Sequence, residues 1–237
     1  MEHSYSDGER ELVGYLARPA GSGVRPAVLV VHEAPGLGEH PRMRADMLAE
    51  LGYVALAADL YGGGELFQGP AAFAAMSRLR DDPDLLRRRV RAGFDALLAI
   101  DGVDRSRVAA IGYCFGGMAV LELARSGADL KAVVSFHGLL ETQRPAEPDA
   151  VKPALLACTG SEDPLVPPEQ VAAFEREMSD AKADWQVVTF GGARHAFTNR
   201  RAALAANPAL EWKPSADRRS WAFMTAFIAD ALAEEGE

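Results

Sequence analysis

The sequence has little cysteine and no long hydrophobic run. Only two cysteines, Cys114 and Cys158, occur in 237 residues, too few for the disulfide framework of a small secreted protein. No apolar stretch reaches the roughly 20 residues that a membrane-spanning helix needs. Residues 1–7 lack a basic region followed by an apolar one, so we predict no signal peptide. These absences predict a cytoplasmic protein that does not associate with membranes.

The sequence also lacks a long block of basic residues. It has 25 Lys and Arg against 34 Asp and Glu, which gives a formal net charge of −9. A protein that is acidic overall repels nucleic acid and anionic lipid, so we expect neither as a partner. We expect instead a monomer or small homo-oligomer that acts on a small molecule.

Strand-like apolar runs alternate with helix-like segments along the whole chain. Continuous apolar runs such as 27–31, 54–58 and 132–136 are typical of central strands that are covered on both faces. The short connections indicate an α/β protein with a mostly parallel central sheet and helices on both faces. Its length favours a single domain over residues 1–237. The functional residues of such sheets lie beyond the carboxyl ends of the strands.

The segment Gly112-Tyr113-Cys114-Phe115-Gly116 is the clearest indication of chemistry. It joins a short strand-like run to a helix-like segment, as does the G-x-S-x-G nucleophile elbow, with cysteine in place of serine. The N-terminus of the following helix favours a thiolate at this position. A packed structural cysteine is the alternative, and we prefer that interpretation for Cys158, which lies inside an apolar run.

Two polar residues after later strands complete a candidate set. Asp163 follows the run 154–158, and His195 follows the run 185–190. The chain order is then nucleophile, acid and base, as in α/β-hydrolases. A histidine suits proton exchange near neutral pH, and a carboxylate holds its tautomer. Asp163 could instead cap a helix or shape a turn, and His195 could be a surface-loop residue.

A further carboxylate and two backbone N–H groups are candidates at the same edge of the sheet. Glu33 and Ala34 follow the first core strand, and Phe115 follows the proposed nucleophile. We expect the N–H groups of Phe115 and Ala34 to form an oxyanion hole. Glu33 is either functional or a simple loop carboxylate. Tyr61, at the end of another core strand, either lines the pocket or only shapes the turn.

Together these motifs resemble the dienelactone hydrolase family. The resemblance implies an α/β-hydrolase fold without a large cap domain and a catalytic triad of Cys114, His195 and Asp163. It also implies that Glu33 lies close to the thiol and controls its protonation. The matching segments stand in family order, from about residue 12 to the closing helix: HEAPGLG at 32–38, ADLY at 58–61, GYCFGG at 112–117, GSED at 160–163 and HAF at 195–197.

One position departs from the pattern of that family. Members that act on the cyclic dienelactone carry an arginine four residues after the catalytic histidine, where this chain has Asn199. We take Asn199, Tyr61 and Trp212 as candidate substrate-binding residues. Trp212 lies in segment 198–215, which forms either a lid, a pocket wall or an ordinary surface loop. The substrate is therefore open between a small ester, a thioester and a lactone.

The sequence predicts a hydrolase that cleaves a small carboxylic ester or lactone through an acyl-cysteine intermediate, without a cofactor. No histidine or cysteine spacing typical of a metal site occurs, so we predict no metal; His40 is expected to be exposed and His137 is left open. Three alternatives remain. They are a thioesterase or acyltransferase with the same triad, a silent fold that only binds a ligand, and a thiol redox protein.

Overall fold

The computed structural model describes residues 1–204 and 207–233. The strands are β1 (Glu2–Ser6), β2 (Glu11–Ala17), β3 (Arg25–Val31), β4 (Val54–Ala58), β5 (Val103–Tyr113), β6 (Ala132–Phe136), β7 (Ala154–Gly160) and β8 (Trp185–Phe190). The helices are α1 (Glu39–Glu50), α2 (Gly69–Arg80), α3 (Pro83–Leu98), α4 (Phe115–Arg125), α5 (Pro168–Asp180) and α6 (Pro214–Ala231), and a short 3-10 helix covers Arg200–Leu204.

The strands form one sheet in the order β1-β2-β4-β3-β5-β6-β7-β8. The pairs β1–β2 and β2–β4 are antiparallel, and the other five pairs are parallel. The predicted mostly parallel sheet is confirmed. Strand β1 was not predicted, because its sequence EHSYS has no apolar run and lies at the sheet edge with alternate residues exposed.

Alternate side chains of the central strands enter two cores, one on each face of the sheet. In β3, Leu29 and Val31 pack with residues of α3 and α4, whereas Val28 and Val30 pack with residues of α1 and α6. All four are completely buried. Burying a side chain of this size stabilises the fold by about 1.5–3 kcal/mol. The central strands are therefore a rigid base for the loops at their ends.

The chain order of the strands reverses between β3 and β5, since β4 lies on one side of β3 and β5 on the other. Such a reversal opens a crevice beyond the carboxyl ends of the strands. Glu33 follows β3 and Cys114 follows β5, while Asp163 and His195 follow β7 and β8. Residues 1–204 and 207–233 contain no inserted cap domain. The topology thus brings the four candidate side chains to one edge.

Among the helices of the described residues, none combines the length and apolar character needed to cross a membrane. The cytoplasmic location, the single domain and the oligomeric state stay predictions.

Candidate active site

Cys114 lies at the turn between β5 and α4 with an unusual backbone conformation. Its φ is 54° and its ψ is −115°, a combination that costs on the order of 1–3 kcal/mol for a residue with a side chain. The turn is held by a hydrogen bond of 2.9 Å from the Cys114 N–H to the Phe136 carbonyl. Cys114 is also the N-cap of α4, so its thiol lies at the positive end of the helix dipole.

The two glycines of the elbow are required by close backbone contacts. A Cβ atom at Gly112 would lie 2.0 Å from the Gly116 carbonyl oxygen, and one at Gly116 would lie 2.2 Å from the Val31 carbonyl oxygen. Both neighbours are backbone atoms, which cannot move aside as a flexible side chain can. The glycines therefore allow the sharp turn that presents Cys114.

His195 and Asp163 form a buried hydrogen-bonded pair. His195 Nδ1 lies 2.8 Å from Asp163 Oδ2, and the two residues are 1% and 4% exposed. The other carboxylate oxygen, Oδ1, accepts the Leu165 N–H at 2.9 Å. Asp163 thus shapes its own turn, the alternative raised from the sequence, and also holds His195. An ionised carboxylate only accepts, so the proton of this pair lies on Nδ1.

Cys114 is close enough to His195 to shift the pKa of its imidazole. Burial lowers the pKa of His195, but Asp163 and Cys114, once the thiol is ionised, outweigh it and raise the pKa to about 10. Nε2 is buried without a formal hydrogen-bond partner in residues 1–204 and 207–233. The imidazole therefore lies between an acid and a thiol, where it can exchange a proton with sulfur.

Glu33 is held by two side chains on a single oxygen. Asn199 Nδ2 donates to Glu33 Oε2 at 2.7 Å, and His40 Nδ1 lies 3.4 Å from the same oxygen. Burial raises the pKa of Glu33, but His40, Asn199 and the charge of His195 together bring it below its ordinary value. Glu33 is therefore a carboxylate in the resting site. The recorded partners of the side chain are His40 and Asn199 rather than Cys114.

The expected exposure of His40 is wrong, since the residue is only 7% exposed. His40, Arg44 and Leu48 are spaced four residues apart on α1 and are all buried, so they share the face of the helix that packs against the sheet. Two polar residues on an inward face gave no apolar pattern from which their burial could be predicted.

Tyr61 supports the proposed oxyanion hole rather than standing free in the crevice. Its hydroxyl donates to the Ala34 carbonyl at 2.8 Å, and its ring stacks on Phe115 with 6.0 Å between centroids. Burial and the charge of Cys114 raise the pKa of Tyr61, so the hydroxyl remains a donor. Asp59 fixes the turn by accepting the Tyr61 N–H at 2.8 Å. Phe115 is the first residue of α4, where an N–H has no partner within the helix.

Trp212 and Asn199 are both engaged with other protein groups. The Trp212 indole N–H donates to Asp217 Oδ2 at 3.0 Å. Asn199 uses its amide nitrogen on Glu33 and its oxygen on the Arg201 N–H. Their roles in substrate binding stay predictions. The described part of segment 198–215 is tied to His195, whose N–H and carbonyl bond to the backbone at residues 209 and 211.

His137, left open from the sequence, is part of the site. Its ring lies edge-on to that of His195 with 5.2 Å between centroids, and its Nε2 lies 2.8 Å from Thr198 Oγ1. Burial, followed by the nearby positive charges, brings the pKa of His137 well below its ordinary value. A neutral ring at this position packs against His195 without adding a charge. Sequence reasoning also missed Arg44, for which no motif gave a signal.

Comparison with known proteins assigns the chain to a family. The model of the dienelactone hydrolase family matches residues 12–232. The chain belongs to the dienelactone hydrolase family. The resemblance noted from the motifs is thereby confirmed, as are the α/β-hydrolase fold and the absence of a large cap domain from the described residues.

Three similar proteins indicate the range of the family. A putative carboxymethylenebutenolidase of Synechocystis sp. is 29% identical over 218 residues, which are 85% of this chain and 87% of the relative. A probable 2-oxo-3-(5-oxofuran-2-ylidene)propanoate lactonase of Bradyrhizobium sp. is 30% identical over 204 residues, 81% of each protein. The solved structure of a dienelactone hydrolase-like promiscuous phosphotriesterase from metagenomic libraries is 39% identical, with a TM-score of 0.94 over 98% of each chain. As a member of the dienelactone hydrolase family, the chain is a lactone or ester hydrolase that acts on small molecules.

Proposed function

We propose that this protein hydrolyses a small carboxylic ester or lactone through an acyl-cysteine intermediate. The observation that carries the proposal is the position of His195. Its imidazole is hydrogen-bonded to buried Asp163 at 2.8 Å, and its pKa is raised by Cys114 as well as by Asp163. In this assignment Cys114 is the nucleophile, His195 the base and acid, and Asp163 the group that orients the imidazole.

In the first half-reaction the Cys114 sulfur adds to the carbonyl carbon while His195 Nε2 holds the thiol proton. The N–H groups of Phe115 and Ala34 stabilise the oxyanion. The intermediate then collapses: the bond to the alcohol oxygen breaks, and the His195 proton goes to that oxygen. An ester releases its alcohol, whereas a lactone opens and keeps its new hydroxyl on the acyl chain.

In the second half-reaction water replaces the alcohol. His195 Nε2 takes a proton from the water, whose oxygen adds to the acyl carbon. Collapse breaks the carbon–sulfur bond, the His195 proton returns to the leaving Cys114 sulfur, and the carboxylic acid is released. The nucleophile, the base and the oxyanion donors all come from the protein, and water is the only other reactant. The products are one carboxylic acid and one alcohol group.

Glu33 controls the protonation of Cys114 in this proposal, so that thiolate forms mainly with substrate bound. The support is its burial, its ionised state and its interaction with His195. Glu33→Gln removes the charge at nearly constant volume, and we expect a lower kcat/KM with the fold intact. Unchanged kinetics would remove Glu33 from the mechanism.

The acyl group of the substrate is uncharged in this proposal. Asn199 stands at the position four residues after His195, and its amide is bonded to the Glu33 carboxylate. This position offers no positive charge to a substrate carboxylate. We expect p-nitrophenyl acetate to be cleaved with a higher kcat/KM than mono-p-nitrophenyl glutarate, and the reverse preference would contradict the assignment.

Product analysis separates hydrolysis from acyl transfer. With p-nitrophenyl acetate and added methanol or a small thiol, a hydrolase gives mainly acetate, whereas an acyltransferase gives mainly the new ester or thioester. A thioesterase would cleave an acetyl thioester in preference to the oxygen ester. No turnover of any of these substrates, with no acyl adduct, would support the ligand-binding alternative.

A phosphotriester is a second candidate substrate. It is favoured by the 39% identity and near-complete coverage shared with the relative described as a promiscuous phosphotriesterase. The same thiolate would attack phosphorus, with the aryl alcohol as leaving group. Release of nitrophenol from diethyl p-nitrophenyl phosphate by the unaltered protein, and none by Cys114→Ala, would support this activity; equal rates would contradict it.

A further inference from the structure

A buried arginine lies behind the loop of Glu33 and has no part in the chemistry described above. Arg44 on α1 is 4% exposed. It donates to His40 Nε2 at 3.2 Å and to the Thr198 carbonyl at 3.0 Å, and it pairs with the carboxylate of Asp217 on α6. A buried charge is costly unless its partners are well placed. Arg44 therefore connects α1, α6 and the loop after His195 in one fixed arrangement.

The bond from Arg44 determines which ring nitrogen of His40 carries the proton. A guanidinium N–H only donates, so His40 Nε2 must accept through its lone pair. The ring proton then lies on Nδ1, the atom 3.4 Å from Glu33 Oε2. Nδ1 is buried and has no hydrogen-bond partner of ordinary geometry in residues 1–204 and 207–233. The His40 proton therefore lies on the ring nitrogen that is 3.4 Å from the Glu33 carboxylate.

The two carboxylate oxygens of Glu33 differ in their neighbours. Oε2 receives Asn199 at 2.7 Å and faces His40 at 3.4 Å. Within residues 1–204 and 207–233, both of these contacts of the carboxylate involve Oε2 and neither involves Oε1. One oxygen is thus held by two side chains while the other stays available to a proton donor.

We propose that His40 is a positioning residue for Glu33. Fixed by Arg44 as the Nδ1–H tautomer, it presents this proton to Glu33 Oε2 and so leaves Oε1 free to act on the thiol of Cys114. His40 touches neither the substrate nor the reacting sulfur. The inference rests on the proposed function, because it requires that Glu33 acts on Cys114.

Two substitutions of His40 separate the two ring nitrogens. His40→Asn places an amide near Nδ1 and keeps a donor for Glu33, whereas His40→Gln places its amide near Nε2 and keeps an acceptor for Arg44. We expect His40→Gln to lower kcat/KM about 10-fold, through kcat rather than KM. His40→Asn should retain most of the activity. Equal losses in the two variants would overturn the proposal.

The same substitutions in the Glu33→Gln background test whether His40 acts through the carboxylate. We expect His40→Gln to cause no further loss there, whereas additive losses would overturn the proposal. If Glu33→Gln alone leaves kcat/KM unchanged while Cys114 is still acylated, the proposed roles of Glu33 and His40 are both wrong. The acyl-cysteine chemistry would then stand without them.

A measurement on the unaltered protein covers the case in which a buried substitution prevents folding. The nitrogen-15 shifts of the histidine rings report the tautomer directly, and the chain has only five histidines. We expect His40 to carry its proton on Nδ1. A proton on Nε2 would overturn the proposal, because Arg44 would then have no acceptor.

Discussion

Replacing Asp163 with asparagine should invert the tautomer of His195. Asp163 Oδ1 already accepts the Leu165 N–H at 2.9 Å, so the asparagine oxygen takes that bond and its NH2 group faces His195 Nδ1. Nδ1 must then accept, and the ring proton moves to Nε2. His195 no longer has a lone pair for the thiol proton of Cys114.

The expected loss follows from this inversion. A comparable Asp-to-Asn change lowers kcat about 10,000-fold in serine proteases, equivalent to about 5 kcal/mol of transition-state stabilisation. Because a thiol ionises more readily than a hydroxyl, we expect a loss of about 100- to 10,000-fold here. The assay is steady-state hydrolysis of p-nitrophenyl acetate, with thermal unfolding to verify the fold.

A matched control and a second readout sharpen this test. Asp149 pairs with Lys182 at 3.0 Å and its side chain is 68% exposed, so Asp149→Asn should leave kcat unchanged. The pKa of His195, followed by NMR, should fall from about 10 when the Asp163 charge is removed. A loss of less than about 10-fold in a folded Asp163→Asn variant would refute the reasoning.

Three further predictions concern stability and the second cysteine. The pKa of Glu33 lies below its ordinary value of 4.5, so its ionisation stabilises the fold above that pH and the benefit is lost on acidification. In urea unfolding, the free-energy difference between the unaltered protein and Glu33→Gln should therefore shrink as the pH falls below 4.5; a constant difference would contradict this. Gly116→Ala should fail to give folded protein, because its Cβ would lie 2.2 Å from the Val31 carbonyl oxygen, whereas Gly191→Ala, with no atom within 4 Å, should unfold at an unchanged temperature. Burial raises the pKa of Cys158 to about 12, so this thiol is not a nucleophile and Cys158→Ala should retain its kcat; loss of turnover would show that this thiol participates. Removal of the buried sulfur should lower the free energy of unfolding by about 1 kcal/mol.

The elbow and the order of the site residues could be predicted because their signals are local. Gly112 and Gly116 are glycines because the backbone passes close to them, so the sharp turn is visible in the sequence. Asp163 and His195 each follow an apolar run. A parallel sheet then brings the ends of those runs to one edge. The chain order and the strand ends are therefore enough to group the candidates from the sequence alone.

The surroundings of Glu33 could not be predicted, since they depend on distant residues. Arg44 and Asp217 are 173 positions apart in the chain, and no motif links them. His40 was expected to be exposed, and the sequence around this polar residue carries no sign of which helix face is inward. Strand β1 escaped detection because an edge strand needs no apolar run.

The most direct test of the acyl-cysteine mechanism is the mass of the protein during turnover. The unaltered protein is mixed with p-nitrophenyl acetate, quenched at early times and digested, with Cys114→Ala treated in parallel. The account predicts a burst of nitrophenol and one acetyl group on the peptide that contains Cys114, with both absent from the variant. Turnover that persists in Cys114→Ala, or an acetyl group on another residue, would contradict it.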